Sequence, residues 1–141
     1  MPANLGTDAP DLRIAVMRLA RRLRRERTSD ALTPSQMAVL ATLLREGPMS
    51  PGELAEVERV QPPSMTRILH SLRTAGLVLR AAHPTDGRQV IYTATDTARS
   101  MVERDRKRRD QWLLHRLEVL QPSEIATLEQ AIPILNRLAL D

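Results

Sequence analysis

Short hydroxyls, guanidinium groups and an imidazole crowd the stretch Ser64-Met65-Thr66-Arg67-Ile68-Leu69-His70-Ser71-Leu72-Arg73. Ser64, Thr66, Arg67, His70, Ser71 and Arg73 are small or forked enough to reach base edges and phosphates in a major groove without filling it. Further along, Asp86-Gly87-Arg88 sets a carboxylate and a guanidinium two residues apart in a turn-forming context. This is hydrogen-bonding chemistry rather than bond-making chemistry. No G-x-S-x-G, H-E-x-x-H, P-loop or dinucleotide fingerprint occurs, so no enzyme and no cofactor is expected. His70, His83 and His115 are dispersed, and with no cysteine in the chain no metal site is expected either.

The same stretch carries its own positioning device. Met65, Ile68, Leu69 and Leu72 recur at i, i+3, i+4 and i+7, so a helix buries them as one stripe and turns the polar set outward. Upstream, Ser50-Pro51-Gly52-Glu53 is a capping box, opening a short helix through Leu54, Ala55 and Val57 that ends near Arg59. Only Val60-Gln61 and two prolines separate these helices, the short turn that a helix-turn-helix requires. A proline disfavours the α conformation in the residue before it, so the second of the two is expected to start at Pro63 rather than Pro62. An earlier helix opens at Thr33-Pro34, turns Met37, Leu40, Ala41 and Leu44 inward and stops at Gly47-Pro48.

After Gly76 the period changes. Leu77-Val78-Leu79-Arg80 and Gln89-Val90-Ile91-Tyr92-Thr93 flank His83-Pro84-Thr85-Asp86-Gly87-Arg88, which predicts a β-hairpin, a wing. The residues expected at duplex DNA are Gln61, Pro63, Ser64, Met65, Thr66, Arg67, His70 and Arg73 from the helix. Arg80, His83, Asp86 and Arg88 join them from the wing.

Composition agrees with a duplex partner. The chain has 141 residues and a net charge of +4, and Lys107 is its one lysine, so nearly every cation is an arginine suited to forked contact with phosphate and guanine. Aromatic residues are reduced to Tyr92 and Trp112, which excludes stacking platforms for single strands. With 42% hydrophobic residues the length suits one domain or a small domain with an oligomerisation arm. The run Leu12 to Leu23 is interrupted by Arg13, Arg18, Arg21 and Arg22, and nothing is long enough to span a bilayer. A cytoplasmic protein with no membrane contact is expected.

The two ends read differently from the middle. Asp8 or Asp11 caps a first helix with Leu12, Ala15, Val16, Leu19 and Leu23 at helical spacing. Thr95 or Asp96 opens a long helix toward Leu120 whose centre, Glu103 to Asp110, is polar on every side, as in a strut crossing solvent between packed ends. Pro122 starts a last helix with Ile125, Leu128, Ile132 and Leu135 on one side, and Pro133 is expected to kink it. Those four residues, with Leu12, Val16, Leu19, Trp112, Leu113, Leu117 and Leu120, have too little of their own chain to bury against. A second copy of the chain is expected to cover them.

Taken together, these residues resemble the MarR family of bacterial transcription regulators from Leu12 to Leu140. The resemblance is carried by Thr33-Pro34-Ser35-Gln36, Leu54-Ala55, Pro63-Ser64-Met65-Thr66-Arg67-Ile68-Leu69 with Leu72, Gly76-Leu77-Val78 and, most specifically, Asp86-Gly87-Arg88. It implies that Arg88 enters the minor groove and Asp86 orients it. It also implies a homodimer on a pseudo-palindromic operator, acting as a repressor released by a small-molecule effector, with the effector cleft between the dimer base and the winged lobe. After the wing the family has a leucine-threonine pair and a glycine; here Ala94, Thr95 and Ala98 stand there, and the threonine is kept.

The expected fold class is mainly α with a small β-hairpin wing, a winged helix-turn-helix lobe plus a helical dimerisation base. Residues 1–10 form a flexible arm, 11–30 and 112–141 the dimerisation region, 31–96 the DNA-binding domain and 97–111 the connecting part of the long helix. Two other functions fit the same features: a winged-helix module that docks an acidic protein partner, and a nonspecific architectural DNA binder. Salt dependence and base preference separate the three.

Overall fold

A computed structural model describes residues 5–27 and 32–140. The elements run α1 (Leu5–Arg25), α2 (Pro34–Glu46), α3 (Pro51–Glu58), α4 (Pro62–Thr74), β1 (Val78–Ala82), β2 (Val90–Ala94), α5 (Asp96–Leu117) and α6 (Pro122–Leu138). They divide into two compact units, Arg24–Arg108 and Met1–Leu23 with Arg109–Asp141. The described part is thus mainly α with one antiparallel hairpin, as the sequence predicts.

In the first unit, local chemistry fixes each helix end. Thr33 Oγ1 accepts the Gln36 amide while Gln36 Oε1 accepts the Thr33 amide. Ser50 and Glu53 exchange the same pair of bonds at α3, so orphan donors at both starts are satisfied. Gly47 ends α2 at φ 88° and ψ −166°, a region essentially restricted to glycine. At the end of α4, Gly76 sits at φ 75°. There the Gly76 amide donates to the Arg73 carbonyl at 3.0 Å and the Leu77 amide to the Leu72 carbonyl at 2.9 Å. This is a Schellman closure, sealed by the buried Leu72 and Leu77.

The core lies behind α4. Val39, Leu40 and Leu43 of α2, Leu54 and Ala55 of α3, and Met65, Leu69 and Leu72 of α4 meet Leu77, Val78, Tyr92, Ala98 and Val102. The hairpin pairs Val78 with Ala94 through Ala82 with Val90, and Met49 adds a short antiparallel bridge to Tyr92. Thr42, also buried, donates its hydroxyl to the Glu58 carboxylate and ties α2 to the end of α3.

Thr95 is the joint between the end of α4, the hairpin and α5. Its hydroxyl donates to the Gly76 carbonyl at 3.0 Å and accepts the Ala98 amide at 3.3 Å, while its own amide donates to the Leu77 carbonyl at 3.0 Å. Thr95→Val keeps the shape and removes both hydroxyl bonds, and is expected to cost about 1–2 kcal/mol. The melting temperature followed by circular dichroism should then fall by roughly 5–10 °C, with Thr95→Ser close to wild type. A valine variant that melts like wild type would show that the tie contributes nothing.

Several expectations are corrected here. Residues 5–10, assigned to a flexible arm, are helical, and α1 runs through Asp8 and Pro10. Pro10 lies in the second turn, close enough to the helix start that little beyond one backbone bond is lost. The rest of the arm, and the break at Thr28-Ser29-Asp30, fall outside the described residues. The fourth helix starts at Pro62, not Pro63, because the extended conformation is taken by Gln61 (φ −69°, ψ 144°) and both prolines fill first-turn positions whose amides have no helical partner anyway. The inward stripe of α2 is Val39, Leu40, Thr42 and Leu43, with Met37 and Leu44 packed only partly against it. Finally, the centre of α5 is not solvated all round: Asp105 is 2% exposed, because Ala98, Val102 and Asp105 share one helical stripe.

In the unit formed by the two ends, α6 has no buried residue. Leu12, Val16, Leu19, Leu128, Ile132 and Leu135 are exposed, and Trp112, Leu113, Leu117, Leu120 and Ile125 are half-buried. The Arg22 and Arg116 guanidinium carbons lie 4.9 Å and 5.7 Å from the Trp112 ring centre, within cation–π range. Gln121 donates its amide to the Glu124 carboxylate at 2.8 Å where α6 begins, and the helix continues through Pro133.

Candidate nucleic-acid interface

Burying Met65, Leu69 and Leu72 turns the opposite face of α4 to solvent, and there Thr66, Arg67, His70, Ser71 and Arg73 are all exposed, with Gln61 and Pro63 at the helix start. Ser64 is half-buried at the edge of that face. The Arg67 guanidinium donates to Ser64 Oγ at 3.4 Å, which steers the fork along the first turn of the helix. Thr66 and Thr74 return their hydroxyls to the carbonyls of Pro62 and His70, so those two groups are partly spent within the helix. Met65 does not belong to this surface: at 0% exposure it fills the core, as its place on the apolar stripe requires.

The wing presents a second set. Arg80, Asp86 and Arg88 are exposed and His83 is half-buried. The Asp86 carboxylate accepts the backbone amide of Arg88 at 3.1 Å. The contact between the two residues is therefore made to the backbone of the arginine, and the guanidinium is left to extend from an ordered turn. His83 does not offer a free Nδ1, because that atom accepts the amides of Thr85 and Asp86. Among the described residues, Arg67, Arg73, Arg80 and Arg88 are in no ion pair with an acidic side chain. Uncompensated guanidinium groups on a helix and the adjacent hairpin form a surface that attracts phosphate.

Two features escaped the sequence reading. Arg59 takes a left-handed conformation, φ 53°, at the end of α3, and its guanidinium-bearing side chain is exposed at the turn into α4. Nothing in the residue type signals this, since glycine is the usual occupant of such a position. Arg45, Arg99 and Arg106, far apart in sequence, line one surface cavity of about 340 Å³ together with Leu44, Val102 and Glu103. The three histidines are not gathered into a metal site, and no cluster of three ligating side chains occurs among the described residues. Among those residues no helix is long and apolar enough to cross a membrane.

The architecture and the sequence have close relatives. The MarR family model matches residues 32–90, the span from the start of the second helix to the second strand. An HTH-type transcriptional regulator of Mycobacterium tuberculosis is 46% identical over 92% of this chain and 91% of its own length. A Pseudomonas aeruginosa PA01 protein of known crystal structure superposes with a TM-score of 0.86 at 34% identity, covering 97% of this chain and 98% of that one. Wild-type MarR from E. coli, in its apo form, superposes with a TM-score of 0.73 at 25% identity, over 94% of this chain and 96% of that one. With a helix-turn-helix, a wing and a relative matched over nearly its whole length, the chain belongs to the MarR family of transcriptional regulators, DNA-binding proteins that are not enzymes.

Proposed function

We propose that the protein acts in the cytoplasm as a homodimeric, sequence-specific repressor, bound to a pseudo-palindromic operator and released by a small-molecule effector. The observation that carries the DNA reading is the outward polar face of α4, with Arg67 and Arg73 uncompensated and Arg88 extended from an ordered turn beside it. Dimerisation is supported by the exposed apolar residues of α1 and α6 in the single chain, Leu12, Val16 and Leu19 on one and Leu128, Ile132 and Leu135 on the other, helical stripes that a second copy can cover. In a dyad-related pair, the two α4 helices enter successive major grooves about 34 Å apart, so half-sites lie roughly 10 bp apart centre to centre. The cavity lined by Arg45, Arg99 and Arg106 supports an anionic effector.

Selection of duplexes from a random pool, footprinting of the winner and titration with salt test this reading together. A single protected pseudo-palindrome is expected, with binding that falls by about 0.9 log unit per log unit of salt for each phosphate neutralised. Uniform protection of random DNA would leave a nonspecific architectural binder, and binding without salt dependence would point to a protein partner instead. Competition of the selected complex with small carboxylates and phenolates then tests release.

A further inference from the structure

His83 stands at the first corner of the wing loop and its ring is engaged inward. Nδ1 accepts the backbone amides of Thr85 at 3.2 Å and Asp86 at 3.1 Å, with the Thr85 hydroxyl at 3.3 Å. The His83 amide donates to the Gln89 carbonyl at 3.0 Å and the Gln89 amide to the Asp86 carbonyl at 3.1 Å. From Asp86 the chain of bonds continues to the Arg88 amide. The imidazole therefore does what an asparagine or aspartate side chain does in an Asx turn, accepting amides two and three residues ahead. Only the neutral ring with its proton on Nε2 has a lone pair at Nδ1 to offer.

The geometry points to His83 as the positioning residue of the wing tip: its Nδ1 acceptor holds Asp86 and Arg88 in the DNA-competent turn. This rests on the reading of Arg88 as a DNA contact. Two N–H donors point at the one Nδ1 lone pair, so removing the ring loses both bonds in one step. The charged side chains of the hairpin are Arg80, Asp86 and Arg88, all exposed. Met49 bonds the hairpin at Tyr92, midway along β2, and the Thr95 amide donates to the Leu77 carbonyl where the hairpin closes; neither bond reaches the loop from His83 to Gln89, so the tip depends on its own bonds for order.

The test compares the wild type with His83→Asn, which keeps a side-chain acceptor for the same amides, and His83→Ala, which has none. In the free protein, ring nitrogen shifts should show Nδ1 unprotonated, and the Thr85 and Asp86 amides should exchange slowly in the wild type and His83→Asn but quickly in His83→Ala. On the duplex selected by the wild type, the asparagine variant should bind like wild type. The alanine variant should bind roughly fivefold more weakly, as for loss of a cap. A proton found on Nδ1 of the neutral ring, or an asparagine variant that behaves like alanine, overturns the assignment. If no duplex is bound while the tautomer and the amide protection stand, the DNA reading fails and the ordering of the tip does not.

Discussion

Arg67→Ala should weaken binding to the selected operator by about 1–3 kcal/mol at each half-site and flatten base preference at one or two positions there. Arg67 is exposed near the start of α4, is in no ion pair, and its fork is steered by Ser64. In the major groove such a fork bonds guanine O6 and N7 together, and alanine leaves both acceptors with water alone. The effect should appear in an affinity matrix over single-base variants of the operator, where a specificity contact raises the constant for the preferred base only. Arg88→Ala should behave differently, lowering affinity across all variants and reducing the salt slope by about one. An Arg67→Ala matrix parallel to that of wild type would remove the arginine from base readout and place it on a phosphate.

Removing α6 by ending the chain after Leu120 should abolish the dimer and with it operator affinity. A monomer reaches one half-site, and losing the linked second site costs about 10²- to 10⁴-fold without changing any contact in the first. Sedimentation should report a monomer at concentrations where the full chain is dimeric. Because truncation bares further apolar surface and can cause aggregation, Ile132→Asp gives a second arm. Ile132 is 56% exposed in the single chain, so a charge there leaves each protomer folded and acts only on what covers that face. A dimer that survives both changes would show that α6 is not the dimer base.

Much of the lobe was legible in the sequence because its signals are local. The capping boxes at Thr33 and Ser50, the glycine after Thr74 and the period change at Leu77 each report on a few neighbouring residues, and the structure has helix starts, a helix end and a strand where they point. The stripe Met65, Ile68, Leu69 and Leu72 is one-sided enough to allow a single facing, and three of the four are buried with Ile68 packed beside them. Helix α2 is the contrary case. Met37, Val39, Leu40, Ala41, Leu43 and Leu44 are apolar over more than half its circumference, and periodicity cannot choose between adjacent stripes; contact with α3, α4 and β2 does.

By itself the sequence determined the order of elements and the outward face of the fourth helix, because helix caps, turn residues and a narrow apolar stripe act over four or five positions. Tertiary structure alone decided that Asp105 is buried within a run of charges, that Thr95 ties the end of α4 to the hairpin, and that arginines from α2 and α5 share a cavity. It also decided that the ring of His83 faces its own loop. Each depends on which surfaces meet after the chain has folded, and no periodicity along the chain encodes that meeting.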